Sequence, residues 1–336
     1  MVSAPVKDIA PTAAAQPAVR RIVVAEELGY CWGVRRALDI IEEAADPRGR
    51  VAPIGDIIHN PQVVERLRTR GVEGAPSVAE AEARGIRRVA ITAHGMGPHL
   101  ARDAAAHGME LIDTTCPLVT KVQRLAQKLV RQGYYLVVYG DAYHPEVRGV
   151  LAWADTTKAV AAKKIVDLPW NARRGATGEG AISPPRKVAL VSQTTKNIDE
   201  LMKFAGELQA MVVPEGGEFR LCNTICEPTS ERQNALKRLV EHDRVDLILA
   251  IGGKKSSNTA RLAEVGNQMG VAAYHIERPE EIADTWLDGV GTVGLTAGAS
   301  TPDDVIEQVV NHLTARGFTP PEGGIRPVDP NYVPAY

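Results

Sequence analysis

Three cysteines in this chain are each followed, at nearly the same interval, by a polar residue in a turn. Cys31 precedes His59 by 28 residues, Cys116 precedes His144 by 28, and Cys226 precedes Ser256 by 30. A second polar turn comes later in each stretch: Ala93-His94-Gly95, Gln193-Thr194-Thr195 and Gly298-Ala299-Ser300. A cysteine at a helix start meets backbone N–H donors and the positive end of the dipole, both of which favour the thiolate that metals bind. Pro117 directly after Cys116 suits a first helical turn, and Pro228 stands close behind Cys226. Three thiolates without a fourth partner form an incomplete tetrahedral set. A [4Fe–4S] cluster normally takes four cysteines, so three leave one iron open. A catalytic zinc with three protein ligands and one open position is the competing reading. No Cys-x-x-Cys pair supports a structural zinc, and no Cys-x-x-x-Cys-x-x-Cys run supports radical chemistry with adenosylmethionine. The fourth cysteine, Cys222, reads as packing on its strand.

The elements that must position these residues follow from periodicity. Apolar runs at 21–25, 89–92, 135–139, 188–191, 247–251 and 292–295 read as strands, and the amphipathic segments 61–70, 118–132, 230–241 and 302–316 as helices. Strand-like segments at 110–115 and 219–225 lead into Cys116 and Cys226, and a helix-like segment at 34–44 follows Cys31. Strands alternating with helices imply an α/β fold with small parallel sheets, whose ligands gather beyond the carboxyl ends of the strands. The reading is three similar α/β units around a pseudo-threefold axis with a central cluster site. Their expected bounds are 21–115, 116–221 and 222–317, after an N-terminal extension at 1–20 read as disordered and before a C-terminal tail at 318–336.

Composition narrows the function. Hydrophobic residues make up 44% of the 336 and charged residues 24%, ordinary for a globular chain. A net charge of −2 gives no electrostatic case for nucleic acid or an anionic membrane. No apolar stretch approaches the roughly 20 residues of a membrane-spanning helix. The first 20 residues lack the basic start and apolar run of a secretory signal. A reducing, cytoplasmic setting is therefore expected, in which disulfides are rare and metal roles gain weight. Gly252-Gly253-Lys254-Lys255-Ser256 lacks the first glycine of a phosphate loop. No Gly-x-Gly-x-x-Gly follows a strand, so electrons for any redox chemistry must come from outside.

The segments Gly29-Tyr30-Cys31-Trp32-Gly33-Val34, Ile58-His59-Asn60-Pro61, Thr92-Ala93-His94-Gly95 and Thr115-Cys116-Pro117-Leu118-Val119 resemble the 4-hydroxy-3-methylbut-2-enyl diphosphate reductase family. So do His144-Pro145-Glu146-Val147, Gln193-Thr194-Thr195, Asn223-Thr224-Ile225-Cys226, Ser256-Ser257-Asn258 and Thr296-Ala297-Gly298-Ala299-Ser300, in the same order from about 21 to 317. The resemblance implies one [4Fe–4S] cluster on Cys31, Cys116 and Cys226, with one iron lacking a protein ligand. It implies a diphosphate held by His59, His94, Ser256, Ser257, Asn258 and Ser300, with His144 close by. Glu146 would deliver protons, and Thr194 would help it order the substrate alcohol. An acid beside a diphosphate should have its pKa raised by like charge. The electron donor implied is ferredoxin or flavodoxin. Glu227, Pro228 and Arg35 depart from the common family pattern, Trp32 marks one branch of it, and the loop at 172–186 is longer than usual.

Two other functions fit parts of the pattern. Another three-cysteine iron–sulfur enzyme, of the quinolinate synthase type, leaves His144-Pro145-Glu146 and Gln193-Thr194-Thr195 unexplained. A metal-binding or redox-sensing protein predicts no turnover that depends on Glu146. His99, His107, His242, His275 and His312 read as ordinary turn or surface residues.

Overall fold

The computed structural model describes residues 19–45, 49–170 and 183–325. The expectations for most of the N-terminal extension, most of the loop at 172–186 and the tail beyond 325 lie outside the described residues.

The first elements are β1 (Arg21–Val24), α1 (Trp32–Ala45), β2 (Ala52–Pro53), α2 (Pro61–Thr69), α3 (Val78–Ala83), β3 (Arg88–Ile91), α4 (His99–Ala106), β4 (Glu110–Asp113) and α5 (Pro117–Arg131). The middle of the chain forms β5 (Tyr135–Tyr139), α6 (Pro145–Ala154), β6 (Ala159–Ala162), β7 (Lys187–Ser192), α7 (Ile198–Val212), β8 (Glu218–Leu221) and α8 (Glu227–Asp243). Then come β9 (Leu247–Ile251), α9 (Ser257–Gln268), β10 (Ala272–Ile276), β11 (Thr292–Ala297) and α10 (Asp303–Thr314).

Three sheets result, ordered β2-β3-β4, β6-β5-β7-β8 and β10-β9-β11-β1, and their strand pairs are parallel. Parallel bridges Val51–Val72 and Ile54–Ala75 give the first sheet a short outer member beside β2, where β6 and β10 lie in the others. Such sheets are covered on both faces, and alternate side chains enter opposite cores. In β9, Leu247, Leu249 and Ile251 pack with Val309 and Leu313 of α10. Ile248 and Ala250 pack instead with Leu236 of α8 and Leu262 of α9.

Two expectations change. Strand β1 was expected to open the first unit, but it pairs with β11 through Arg21–Thr292 to Val24–Leu295. Cys31 is thus carried by the sheet of β9 and β11, and each cysteine follows the last strand of its sheet. Apolar alternation identifies a strand, whereas its partner is chosen by long-range packing. The strand expected at 219–225 ends at Leu221. Beyond it Thr224 Oγ1 accepts from Ser192 N (2.7 Å) and donates to Ser192 O (2.6 Å), turning the chain towards the centre. Cys222 extends the pairing, donating its N–H to Leu190 O, and its side chain packs in the core under β5 and β7.

Candidate active site

Three equivalent backbone hydrogen bonds organise the centre of the molecule. Cys116 N donates to Ala93 O (3.1 Å), Cys226 N to Thr194 O (2.9 Å) and Cys31 N to Ala299 O (3.1 Å). Each joins a cysteine to the second polar turn of its own sheet, and each cysteine directly precedes a helix: α5, α8 and α1. The repeated joint is the pseudo-threefold relation expressed at the level of single atoms.

The cysteines line one cavity of about 110 Å³. The structure brings all the sequence-predicted site residues to it: His59, His94, His144, Glu146, Thr194, Ser256, Ser257, Asn258 and Ser300 stand around the same space as Cys31, Cys116 and Cys226. Among the described residues no lysine or arginine lines it. Burial, together with the neighbouring Cys31 sulfur, pushes the Cys116 thiol up to about 12 although the Leu118 and Val119 amides pull it down. Cys226 is likewise raised to about 12, by burial above all, against the lowering contact with Thr229. The helix-start effect expected from the sequence is therefore present but outweighed by desolvation. The raised Cys116 and Cys226 thiols call for a cation to stabilise their ionised forms.

Space at the trio is set by Gly33, in the first turn of α1. A Cβ added there would lie 2.5 Å from Cys116 Sγ and 4.0 Å from Cys31 Sγ. The absence of a side chain keeps open the gap between two sulfurs. Thr229, which the sequence reading passed over, lies with Oγ1 3.1 Å from Cys226 Sγ. Its signal was its place three residues into α8, where a side chain folds back over the helix start.

The imidazoles form a second group. His59 and His94 stack with centroids 4.1 Å apart, and His144 meets them edge-on at 5.3 and 5.5 Å. Burial lowers His59 and places His94 well below the usual imidazole value, with His59 and His144 adding to the effect at His94. Burial and His59 take His144 down to about 4. Nδ1 of His59, Nδ1 of His94 and both amide atoms of Asn258 are buried without a hydrogen-bond partner among the described residues. Such unpaired groups are costly, and a polar or anionic ligand would satisfy them. Ser256 Oγ accepts from Thr259 N (3.3 Å) and Thr259 Oγ1 (2.9 Å), while Ser300 Oγ lies 3.5 Å from His59 O.

Glu146, 2% exposed, sits in the first turn of α6. His144 Nδ1 accepts its backbone N–H (3.2 Å), and Thr194 N and Oγ1 donate to its two carboxyl oxygens at 2.7 and 2.8 Å. Burial raises its pKa to about 7 against the lowering effect of those bonds and of Lys196. The sequence reading expected a raised value from a neighbouring diphosphate, but desolvation raises it in the protein alone.

The profile of the family described as LytB protein matches residues 22–314. A curated relative from Geobacter sulfurreducens, named 4-hydroxy-3-methylbut-2-enyl diphosphate reductase, is 38% identical over 87% of this chain and 96% of its own length. One of the same name from Aquifex aeolicus is 38% identical over 87% of this chain and 95% of its own. A solved (E)-4-hydroxy-3-methyl-but-2-enyl diphosphate reductase, described as the terminal enzyme of the non-mevalonate pathway, is 35% identical over 88% of this chain and 99% of that one, with a TM-score of 0.60. The E-1-hydroxy-2-methyl-but-2-enyl-4-diphosphate reductase from Plasmodium falciparum shares the fold, with a TM-score of 0.77 at 24% identity over 94% of this chain and 95% of that one.

Proposed function

Because this chain belongs to the LytB protein family, we propose that it reduces 4-hydroxy-3-methylbut-2-enyl diphosphate to isopentenyl and dimethylallyl diphosphates, the last step of the non-mevalonate isoprenoid pathway. The reaction breaks the allylic C–O bond, consumes two electrons and two protons, and releases water. One observation carries the reading: a single cavity combines three converging thiols, a carboxyl with pKa about 7 and the polar atoms of His59, His94 and Asn258 that lack a partner among the described residues.

Cys31, Cys116 and Cys226 are the residues that would hold an iron–sulfur centre, and the donor set fits it: three converging thiols, with the gap at Gly33 left open. We assign it as one [4Fe–4S] cluster, since three thiolates leave one iron without a protein ligand. When bound, such a cluster would supply electrons and Lewis acidity to the reaction. His59, His94, Ser256, Ser257, Asn258 and Ser300 bind the diphosphate, with His144 adjoining. Neutral imidazoles accept protons as the anion arrives, converting desolvated rings into charge-assisted donors. Glu146 holds a proton near neutral pH and gives it to the departing hydroxyl. Thr194 fixes both carboxyl oxygens and so aims that proton.

Ferredoxin or flavodoxin is the proposed electron donor, in a cytoplasmic setting. Among the described residues no helix is long and apolar enough to cross a membrane. The three-unit division is proposed with one change, β1 and Cys31 being grouped with the last unit.

The test is turnover of 4-hydroxy-3-methylbut-2-enyl diphosphate by anaerobically reconstituted protein with an artificial reductant. Isopentenyl and dimethylallyl diphosphates are the expected products. No product from protein with full iron and sulfide content would reject the reading.

A further inference from the structure

Arg232, on α8, is the bulkiest side chain among the described residues that is essentially shut off from water, at 1% exposure. A buried cation normally finds a carboxylate, as Arg261 finds Glu200 and Glu264. Arg232 has no such ion pair among the described residues. Its Nη1 donates to Pro228 O (2.9 Å), its Nη2 to Gly29 O (2.8 Å), and its Nε is buried without a partner among the described residues. Both carbonyls belong to cysteine segments: Pro228 lies two residues after Cys226, and Gly29 two before Cys31. The Gly29 carbonyl is aimed by a left-handed backbone (φ 78°), at a position where a Cβ would come within 3.0 Å of Asp303 Oδ1.

A related contact occurs one step round the ring. Arg36, on the helix that follows Cys31, donates from Nη1 to Thr115 O (3.2 Å), directly before Cys116. Two arginines thus join the cysteine segments head to tail. Among the described residues, no side chain of α5 makes the matching bond to the segment before Cys226. Arg232 thus carries its charge without an ion pair, while the cavity beside these segments gathers three thiols and, among the described residues, no cationic lining residue.

We propose that Arg232 is a positioning residue for the metal centre: it locks Cys31 against Cys226 and keeps a fixed positive charge beside the thiolate set. The proposal rests on the reading that these cysteines hold an iron–sulfur cluster. Each added electron makes such a centre more negative, so a fixed cation in a poorly screened interior favours the reduced state and raises the reduction potential. The two carbonyl bonds act separately, by holding the ligands in place.

The experiment compares reconstituted wild type, Arg232→Met and Arg232→Lys by anaerobic redox titration of the cluster signal and by the rate of iron loss to a chelator. Arg232→Met should titrate at a more negative potential and release iron about tenfold faster. Arg232→Lys keeps the charge but cannot span both carbonyls, so it should titrate near wild type and still lose iron faster. A fully loaded Arg232→Met with the wild-type potential overturns the proposal. If Arg232→Met folds by circular dichroism yet takes up no cluster, the positioning role is supported. If it does not fold, Arg232→Lys decides, and wild-type iron loss from that variant overturns the proposal. Failure of the cluster reading itself would show in the wild type, as no uptake of iron and sulfide, whereas failure of the arginine's role shows only in the variants.

Discussion

Thr194 grips both oxygens of Glu146, one through its backbone N–H at 2.7 Å and one through its hydroxyl at 2.8 Å. The two residues come from different strands' ends, β5–α6 and β7–α7, so the pair exists only once the middle sheet has formed. Bonds of this kind stabilise a carboxylate, yet burial overrides them and the group holds its proton to about pH 7. Reactivity and stability both follow from that balance.

Replacing Glu146 by Gln removes the proton but retains the shape. Turnover should fall by about 10²- to 10⁴-fold while the iron and sulfide content and the visible spectrum stay at wild-type levels. In the wild type, turnover should decline as pH rises through about 7, where the acid form is lost. A flat profile from pH 6 to 8.5, with Glu146→Gln active, would remove the carboxyl from the mechanism.

The same substitution should stabilise the fold at alkaline pH. Below the ordinary carboxylate value of 4.5, Glu146 is protonated in both folded and unfolded chains, and burial costs nothing by ionisation. As pH rises from 4.5 towards about 7 the unfolded chain ionises first, so stability falls, by up to about 3 kcal/mol across that window. Denaturant melts of cluster-free protein should show Glu146→Gln gaining on wild type between pH 5 and pH 8.

Diphosphate binding should take up protons. His59, His94 and His144 are all held below the usual imidazole range by burial, so they are neutral at pH 7 in the free protein. An arriving anion raises their proton affinity. Calorimetry with inorganic pyrophosphate in buffers of different ionisation enthalpy should report net uptake and an affinity that weakens as pH rises. His94→Asn should reduce both.

Gly33→Ala should spare the fold and damage the site. Alanine suits the first turn of α1, but its Cβ would press on Cys116 Sγ at 2.5 Å. Reconstituted variant should show an unchanged circular dichroism spectrum and a lower iron content per chain.

Cys222 provides the control among the cysteines. Its side chain packs in a core rather than at the cavity. Cys222→Ser should retain the iron that Cys116→Ser loses, as measured by metal analysis after identical reconstitution.

Much of this molecule was legible in the residues themselves. The matched intervals after Cys31 and Cys116, the polar turns and the alternation of strands with helices pointed to one shared site, because a strand–turn–helix repeat delivers its turns to the same end of a parallel sheet. Three strands carried too little signal: β2 spans two residues, β6 is largely alanine, and β10 is a short run interrupted by His275.

Local periodicity, turn chemistry and residue type were thus determined by the sequence alone, since each depends on neighbours within a few positions. Partner choice was not. That β1 crosses to β11 and so closes the ring of cysteines, that desolvation already raises Glu146 in the protein alone, and that Arg232 reaches Gly29 were decided only by the tertiary structure. The reason is physical: hydrogen-bond partners and solvent exclusion arise from segments tens to hundreds of residues apart, whose contacts are selected by the packing of the whole.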